Sequence, residues 1–96
     1  MRCAQCRSAV ARVCDRVERF GASEHDRVNP AGFVFRIACY ARADGARPEG
    51  PASLEFAWFP RAAWRVGLCA ACGAHLGWFF GGDAPFVGLR VDAVID

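Results

Sequence analysis

Four cysteines in two Cys-x-x-Cys pairs are the residues of this chain best suited to chemistry. Cys3 and Cys6 stand near its start, Cys69 and Cys72 near its end. Two spacer residues let the backbone turn and offer both sulfurs of a pair to one ion. Two such pairs supply the four thiolates that a tetrahedral zinc ion takes. With every position filled by sulfur, no water site stays open, so the expected zinc is structural rather than catalytic. Gly73, just after Cys72, suits a tight knuckle turn. Cys14 and Cys39 are left over. Cys39 reads as a small buried hydrophobe, and Cys14 has no evident role. His75 reads as a hydrogen-bonded structural histidine or as one further ligand candidate.

A second group is aromatic. Trp58, Trp64 and Trp78 flank the second cysteine pair. Phe56 falls on one strand face with Trp58, and Phe80 with Trp78, because strand side chains alternate with period two. Such a group packs either as hydrophobic core or as the walls of a ligand cage. A cage suits a compact ring with a flat, weakly polarised C–H surface, or a cation held by the ring faces.

The elements that must position these residues read as short strands. Residues 33–40 alternate, with Phe33, Phe35, Ile37 and Cys39 on one face. Leu54 to Phe59 alternates again until Pro60 breaks it. Trp64 to Leu68 leads into the second knuckle, His75 to Phe80 leads out of it, and Phe86 to Val91 closes the chain. Residues 21–32 carry Gly21, Asn29-Pro30 and Gly32 and read as a turn-rich loop. Residues 41–53, with Pro48, Gly50 and Pro51, read as an exposed connection. Residues 8–20 are ambiguous: Val10, Val13, Cys14 and Val17 fit a helical template, yet Val and Cys are mediocre helix formers. Repeated short strands with Gly and Pro turns predict one small, mostly β domain of antiparallel strands over residues 1–96.

Composition bounds the rest. The chain of 96 residues is short enough to need a staple, and a cross-linking metal is a usual one. Its apolar share of 54% makes it globular. All the basic residues are arginine, and ten acids leave a net charge of only +2. That is too weak and scattered for a nucleic-acid stripe, and the N-terminal arginines are interrupted by Asp15 and Glu18. No apolar run approaches membrane-spanning length, and Met1-Arg2-Cys3 leaves no room for a signal peptide. The expected location is the cytoplasm, where such thiols stay reduced. The weight of Arg, Ala and Gly suggests a bacterial source.

The run from Phe56-Ala57-Trp58-Phe59-Pro60 through Trp64, Cys69-Ala70-Ala71-Cys72-Gly73-Ala74-His75-Leu76-Gly77-Trp78-Phe79-Phe80 closely resembles the CULT domain. This is the thalidomide-binding domain of cereblon and its small bacterial relatives. The pattern is Trp-Phe, a turn, Trp, then Cys-x-x-Cys-x-x-His-(Leu/Ile)-Gly-Trp-x-(Phe/Tyr), and every position is met. Asn29-Pro30-Ala31-Gly32, the following strand through Tyr40, and Phe86-Val87-Gly88-Leu89 resemble the family too.

The resemblance implies a β-tent, two antiparallel sheets meeting at an angle and pinned by one structural zinc on Cys3, Cys6, Cys69 and Cys72. It implies a small-molecule pocket walled by Trp58, Trp64 and Trp78, with Phe80 at its base, that grips the glutarimide ring of a cyclic imide. The backbone carbonyl at Phe56 would accept the imide N–H, and the backbone N–H at Trp58, beyond Ala57, would donate to an imide carbonyl. Asn29 and Pro30 would line the rim. Uracil-like nucleosides or C-terminal cyclic imides would fit the same ring site. Vertebrate members carry His where this chain has Phe56, so one side-chain hydrogen bond is expected to be missing. Arg61-Ala62 stands where Gly-Tyr is common. No Lon-like domain or ligase-adaptor segment is seen, so no ubiquitin-ligase adaptor is expected as partner. The protein is expected not to be an enzyme. Two alternatives stay open: a reader of methylammonium groups, with Asp83 or Glu55 as carboxylate although alternation points Glu55 away from Phe56, and a thiol-dependent redox enzyme of the same fold using Cys14 or Cys39.

Overall fold

A computed structural model describes residues 1–96. Eight strands and one turn of 3-10 helix follow in order. They are β1 (Arg2–Cys3), the turn Val13–Asp15, β2 (Glu24–Val28), β3 (Val34–Tyr40), β4 (Ala46–Ser53), β5 (Trp64–Cys69), β6 (His75–Phe80), β7 (Phe86–Arg90) and β8 (Val94–Ile95). All pairing is antiparallel, and the strands form two sheets. Six strands pair in the order β2-β3-β7-β6-β5-β4, while β1 and β8 pair with each other. No helix is long and apolar enough to cross a membrane.

The large sheet buries both faces over its middle. One face carries Ala38, Tyr40, Leu76, Val87 and Leu89, packed with Cys3, Val10 and Val94 beside the cysteines. The other carries Ile37, Cys39, Trp78, Phe80 and Phe86, covered by Phe59 and Ala62. Gly88 is opposite Trp78 on β7. A Cβ there would lie 2.8 Å from Ile37 Cδ1 and 2.9 Å from Phe80 Cε2, so glycine is what lets these side chains meet.

Four sequence expectations give way here. Residues 21–32 contain a strand, β2, which pairs with β3 from Glu24↔Ala38 to Val28↔Val34. Residues 41–53 are exposed, but they include β4, an edge strand on β5. Its two prolines are tolerated because an edge strand has one unpaired side. Leu54 to Phe59 is a loop, not a strand. Phe56 within it is 66% exposed, with a left-handed φ of 55°, outside the extended region. In the first hairpin, Phe33 lies outside β3 and is exposed, while Ile37 and Cys39 are fully buried as expected.

The ambiguous residues 8–20 form neither a full helix nor a strand. Val10 N–H donates to Met1 O at 2.9 Å and Val17 N–H to Cys39 O at 3.1 Å, which hold the segment extended on either side of its one helical turn. Val13 is left exposed.

Candidate functional site

The two knuckles are built alike. The N–H of the residue after the second cysteine donates to the first cysteine's carbonyl, Arg7 to Cys3 at 2.8 Å and Gly73 to Cys69 at 2.9 Å. The first cysteine's own N–H donates to the carbonyl five residues on, Cys3 to Ser8 at 2.9 Å and Cys69 to Ala74 at 2.7 Å. Both closing residues have a left-handed φ, 68° at Arg7 and 78° at Gly73. The knuckles face each other across the gap between the sheets. Cys3 Sγ lies 3.7 Å from Cys72 Sγ, and Cys6 Sγ 3.7 Å from Cys69 Sγ. All four sulfurs fall within 4.8 Å of one another, a set that could hold a metal ion.

The electrostatics of the cluster ask for a cation. The Ser8 hydroxyl and backbone N–H lower the pKa of Cys6. Burial opposes ionisation of Cys69, but hydrogen bonds from Ser8 and the amides of Cys72 and Ala71 bring its thiol down to about 6. The Ala74 amide favours a Cys72 thiolate, yet burial and the crowding Cys6, Cys3 and Cys69 sulfurs push it up to about 12. Four thiolates in this space repel one another unless positive charge lies among them. Ser8 was not anticipated from the sequence. Its Oγ stands 3.1 Å from Cys6 Sγ and 3.5 Å from Cys69 Sγ.

The second knuckle also joins β5 to β6, and these strands carry two of the tryptophans. Trp64 is opposite Phe80 and Val66 opposite Trp78, so all four share one face of the ladder. Trp58 comes from the loop after β4 and meets Trp78 edge-on, ring centroids 4.6 Å apart at 68°. Trp58, Trp64 and Trp78 open onto one cavity of about 460 Å3, within the range of small-molecule sites. Asn29, Pro30 and Phe56 also line it, as do Ser53, Glu55 and Val66.

Two of the three indole N–H groups are already used inside the protein. Trp58 Nε1 donates to Val28 O at 2.9 Å, and Trp64 Nε1 to Glu55 O at 2.8 Å. The first bond ties the loop wall to the β2–β3 hairpin, and the second ties β5 to the 54–57 loop. That loop is otherwise held by Glu55 N–H to Ser53 Oγ at 3.0 Å and Ala57 N–H to Leu54 O at 3.2 Å. The Phe56 carbonyl and the Trp58 backbone N–H make no hydrogen bond within the protein. Asn29 Oδ1 accepts from Phe33 N–H at 2.9 Å, so its side chain shapes the hairpin turn.

Phe80 does not line the cavity. It is 3% exposed, stacked on Phe86 at 4.8 Å, and supports Trp58 from behind at 6.4 Å. Ala57 sits between Phe56 and Trp58 without lining it. Glu55 does line it, against the expectation that alternation would turn it away. Period two does not apply, because residues 54–59 are not a strand. Asp83 lies instead in another hollow with Arg19 and Arg61. Of the remaining thiols, Cys39 is fully buried, and burial raises its pKa, whereas Cys14 is exposed.

No family model matches the chain. Among curated proteins, cereblon of Drosophila erecta is 31% identical over 99 aligned residues, covering 93% of this chain. Cereblon of Gallus gallus is 38% identical, and that of Xenopus tropicalis 40% identical, each over 53 residues or 55% of the chain. The chain spans 16% of the length of the Drosophila protein and 12% of the two vertebrate ones.

Proposed function

The chain belongs to the cereblon-like CULT domains, and from that premise we propose that it is a binding module that holds cyclic imides between Trp58, Trp64 and Trp78. One observation carries the reading. The cavity offers indole faces whose Trp58 and Trp64 N–H groups are spent on Val28 and Glu55, beside one unpaired backbone acceptor at Phe56 and one unpaired donor at Trp58. A glutarimide matches that inventory. Its methylene face is apolar, its N–H suits the Phe56 carbonyl, and an imide carbonyl suits the Trp58 amide. Burying the ring contributes about 25 cal/mol per Å2 of apolar surface. Micromolar binding needs roughly 8 kcal/mol in all, so the hydrogen bonds must contribute. Phe56 offers no side-chain donor to the second carbonyl, which makes this a weaker site than one with histidine there. Uracil-type rings and C-terminal cyclic imides present the same edge.

The ion held by the cysteines is proposed to be one zinc. A tetrahedron with Zn–S near 2.3 Å has sulfur–sulfur edges of about 3.8 Å; two of the six edges are 3.7 Å and all lie within 4.8 Å. Four sulfur ligands leave no open position, so the ion's part is structural. Cys39 is buried and Cys14 stands alone on the surface, which supports a binder rather than a thiol enzyme. Reduced thiols fit the cytoplasm, and a net charge of +2 favours a small-molecule partner over nucleic acid.

Glu55 on the cavity wall favours one other reading, a cage for methylammonium groups. Fluorescence titration of the metal-loaded chain with glutarimide and with trimethyl-lysine separates the two. Saturable glutarimide binding that is lost in Trp78→Ala supports the imide site. Binding of trimethyl-lysine alone would overturn it.

A further inference from the structure

Trp58 and Trp64 are each fixed by an indole hydrogen bond, but the Trp78 indole N–H has no partner in the protein. Gly88, opposite Trp78 on β7, has no side chain for it to lean on. Its orientation must come from packing against the rings it meets, Trp58, His75 and Phe35. His75 meets the Trp78 ring edge-on, centroids 4.7 Å apart at 88°. Phe35 braces both rings, at 5.1 Å from Trp78 and 6.4 Å from His75.

A β-bulge makes this contact. Gly67 is opposite Gly77, but Leu68 is opposite His75, so Leu76 is the extra residue on β6. Leu76 therefore packs with the cysteine-side core, and His75 reaches Trp78 instead.

His75 is itself held in one state. Arg90 Nη1 stands 3.3 Å from His75 Nδ1. A guanidinium only donates, so Nδ1 must be the ring's acceptor and the ring proton lies on Nε2. Nε2 stands 3.0 Å from the Gly77 carbonyl, which only accepts. That bond pins the backbone immediately before Trp78. Arg90 is fixed in turn by Asp92, Nε to Oδ1 at 3.2 Å and Nη2 to Oδ2 at 3.3 Å, and its guanidinium lies over Phe35 at 5.3 Å.

We propose that His75, locked by Arg90 and Asp92, is a positioning residue that sets the angle of the Trp78 wall. It touches no ligand. It holds the cavity in its binding shape before a ligand arrives, which lowers the ordering cost of binding.

The consequence for affinity rests on the imide reading; the consequence for Trp78 does not. The test uses the full metal-loaded chain and its His75→Phe and Arg90→Gln variants. His75→Phe keeps a ring against Trp78 but loses both polar contacts, and Arg90→Gln removes the lock alone. The indole N–H resonances are recorded without ligand, with that of Trp78 assigned by its loss in Trp78→Phe, and glutarimide affinity is then titrated. Both variants should shift or broaden the Trp78 resonance, leave that of Trp64 in place, and weaken glutarimide about five- to tenfold. A Trp78 resonance unchanged in Arg90→Gln would overturn the proposal, even if His75→Phe fails to fold. If the wild-type chain ignores glutarimide while the resonance still moves, the imide reading fails and the positioning role stands.

Discussion

Trp64→Phe separates two roles that one side chain combines. Phenylalanine keeps an aromatic wall but removes the indole N–H that donates to Glu55 O at 2.8 Å. Trp64 and Glu55 are both partly open to water, so the freed carbonyl is resolvated and folding loses only about 0.5–1 kcal/mol. For a domain of this size that lowers Tm by no more than about 4–8 °C. Binding should suffer more. The 54–57 loop carries the Phe56 carbonyl at a left-handed φ of 55°, a conformation strained by about 1–2 kcal/mol for a residue with a Cβ. Without its tether the loop relaxes away, and a ligand must re-order one or two residues at roughly 1 kcal/mol each. An affinity loss of about 1–2 kcal/mol is a rise in Kd of roughly 5- to 30-fold. Calorimetric titration with glutarimide beside thermal unfolding measures both quantities, with Trp64→Ala as the variant that loses wall and tether together. Wild-type affinity in Trp64→Phe would refute the tether, and a collapse of Tm would mean the residue serves the fold rather than the loop.

Two further outcomes follow from the packing and the titration chemistry. Gly88→Ala places a methyl within 2.8 Å of Ile37 and 2.9 Å of Phe80; overpacking of this kind costs about 1–3 kcal/mol, read as a lower urea midpoint, and an unchanged midpoint would contradict the close fit. Burial first, and then the Arg90 charge, hold the His75 pKa below the ordinary histidine value, with the Gly77 carbonyl and then Asp92 opposing. The unfolded chain therefore binds more protons between the lowered value and about 6.5, so stability is complete above that window and lost as pH falls through it. Urea unfolding across pH should show a steeper slope there for wild type than for His75→Phe, and parallel slopes would sink the assignment.

What could be read from the residues was mostly what is local. Each Cys-x-x-Cys closes through bonds within five residues of chain, so its geometry travels with its spacing. The β6 range His75–Phe80 and the start of β5 at Trp64 agree with the reading of the sequence, although the bulge at Leu76 breaks the alternation of β6. Leu54, Phe56 and Trp58 imitate the same alternation, yet they form a loop, because tethers from Trp64, Ser53 and Val28 decide the backbone there. Trp64 and Val28 lie too far along the chain for a pattern to report. β4 was hidden by Pro48, Gly50 and Pro51, residues that weaken a strand on intrinsic preference but are admitted at a sheet edge. β1 and β8 are two residues long, and nothing in so short a run announces a strand. In the cavity, the tryptophans were legible from their bulk and spacing. Val66 follows from period two after Trp64, whereas Ser53 needed the end of β4 and Glu55 the true course of the loop.

The pairing of Arg2 with Ile95 puts the way into the domain beside the way out. Two antiparallel strands lie about 5 Å apart, so a host protein could carry this unit in a single surface loop without parting its own framework. A pull on the two ends would load β1 against β8 and the Cys3 knuckle first. Through the four cysteines that load would pass on to the second knuckle, the turn between β5 and β6.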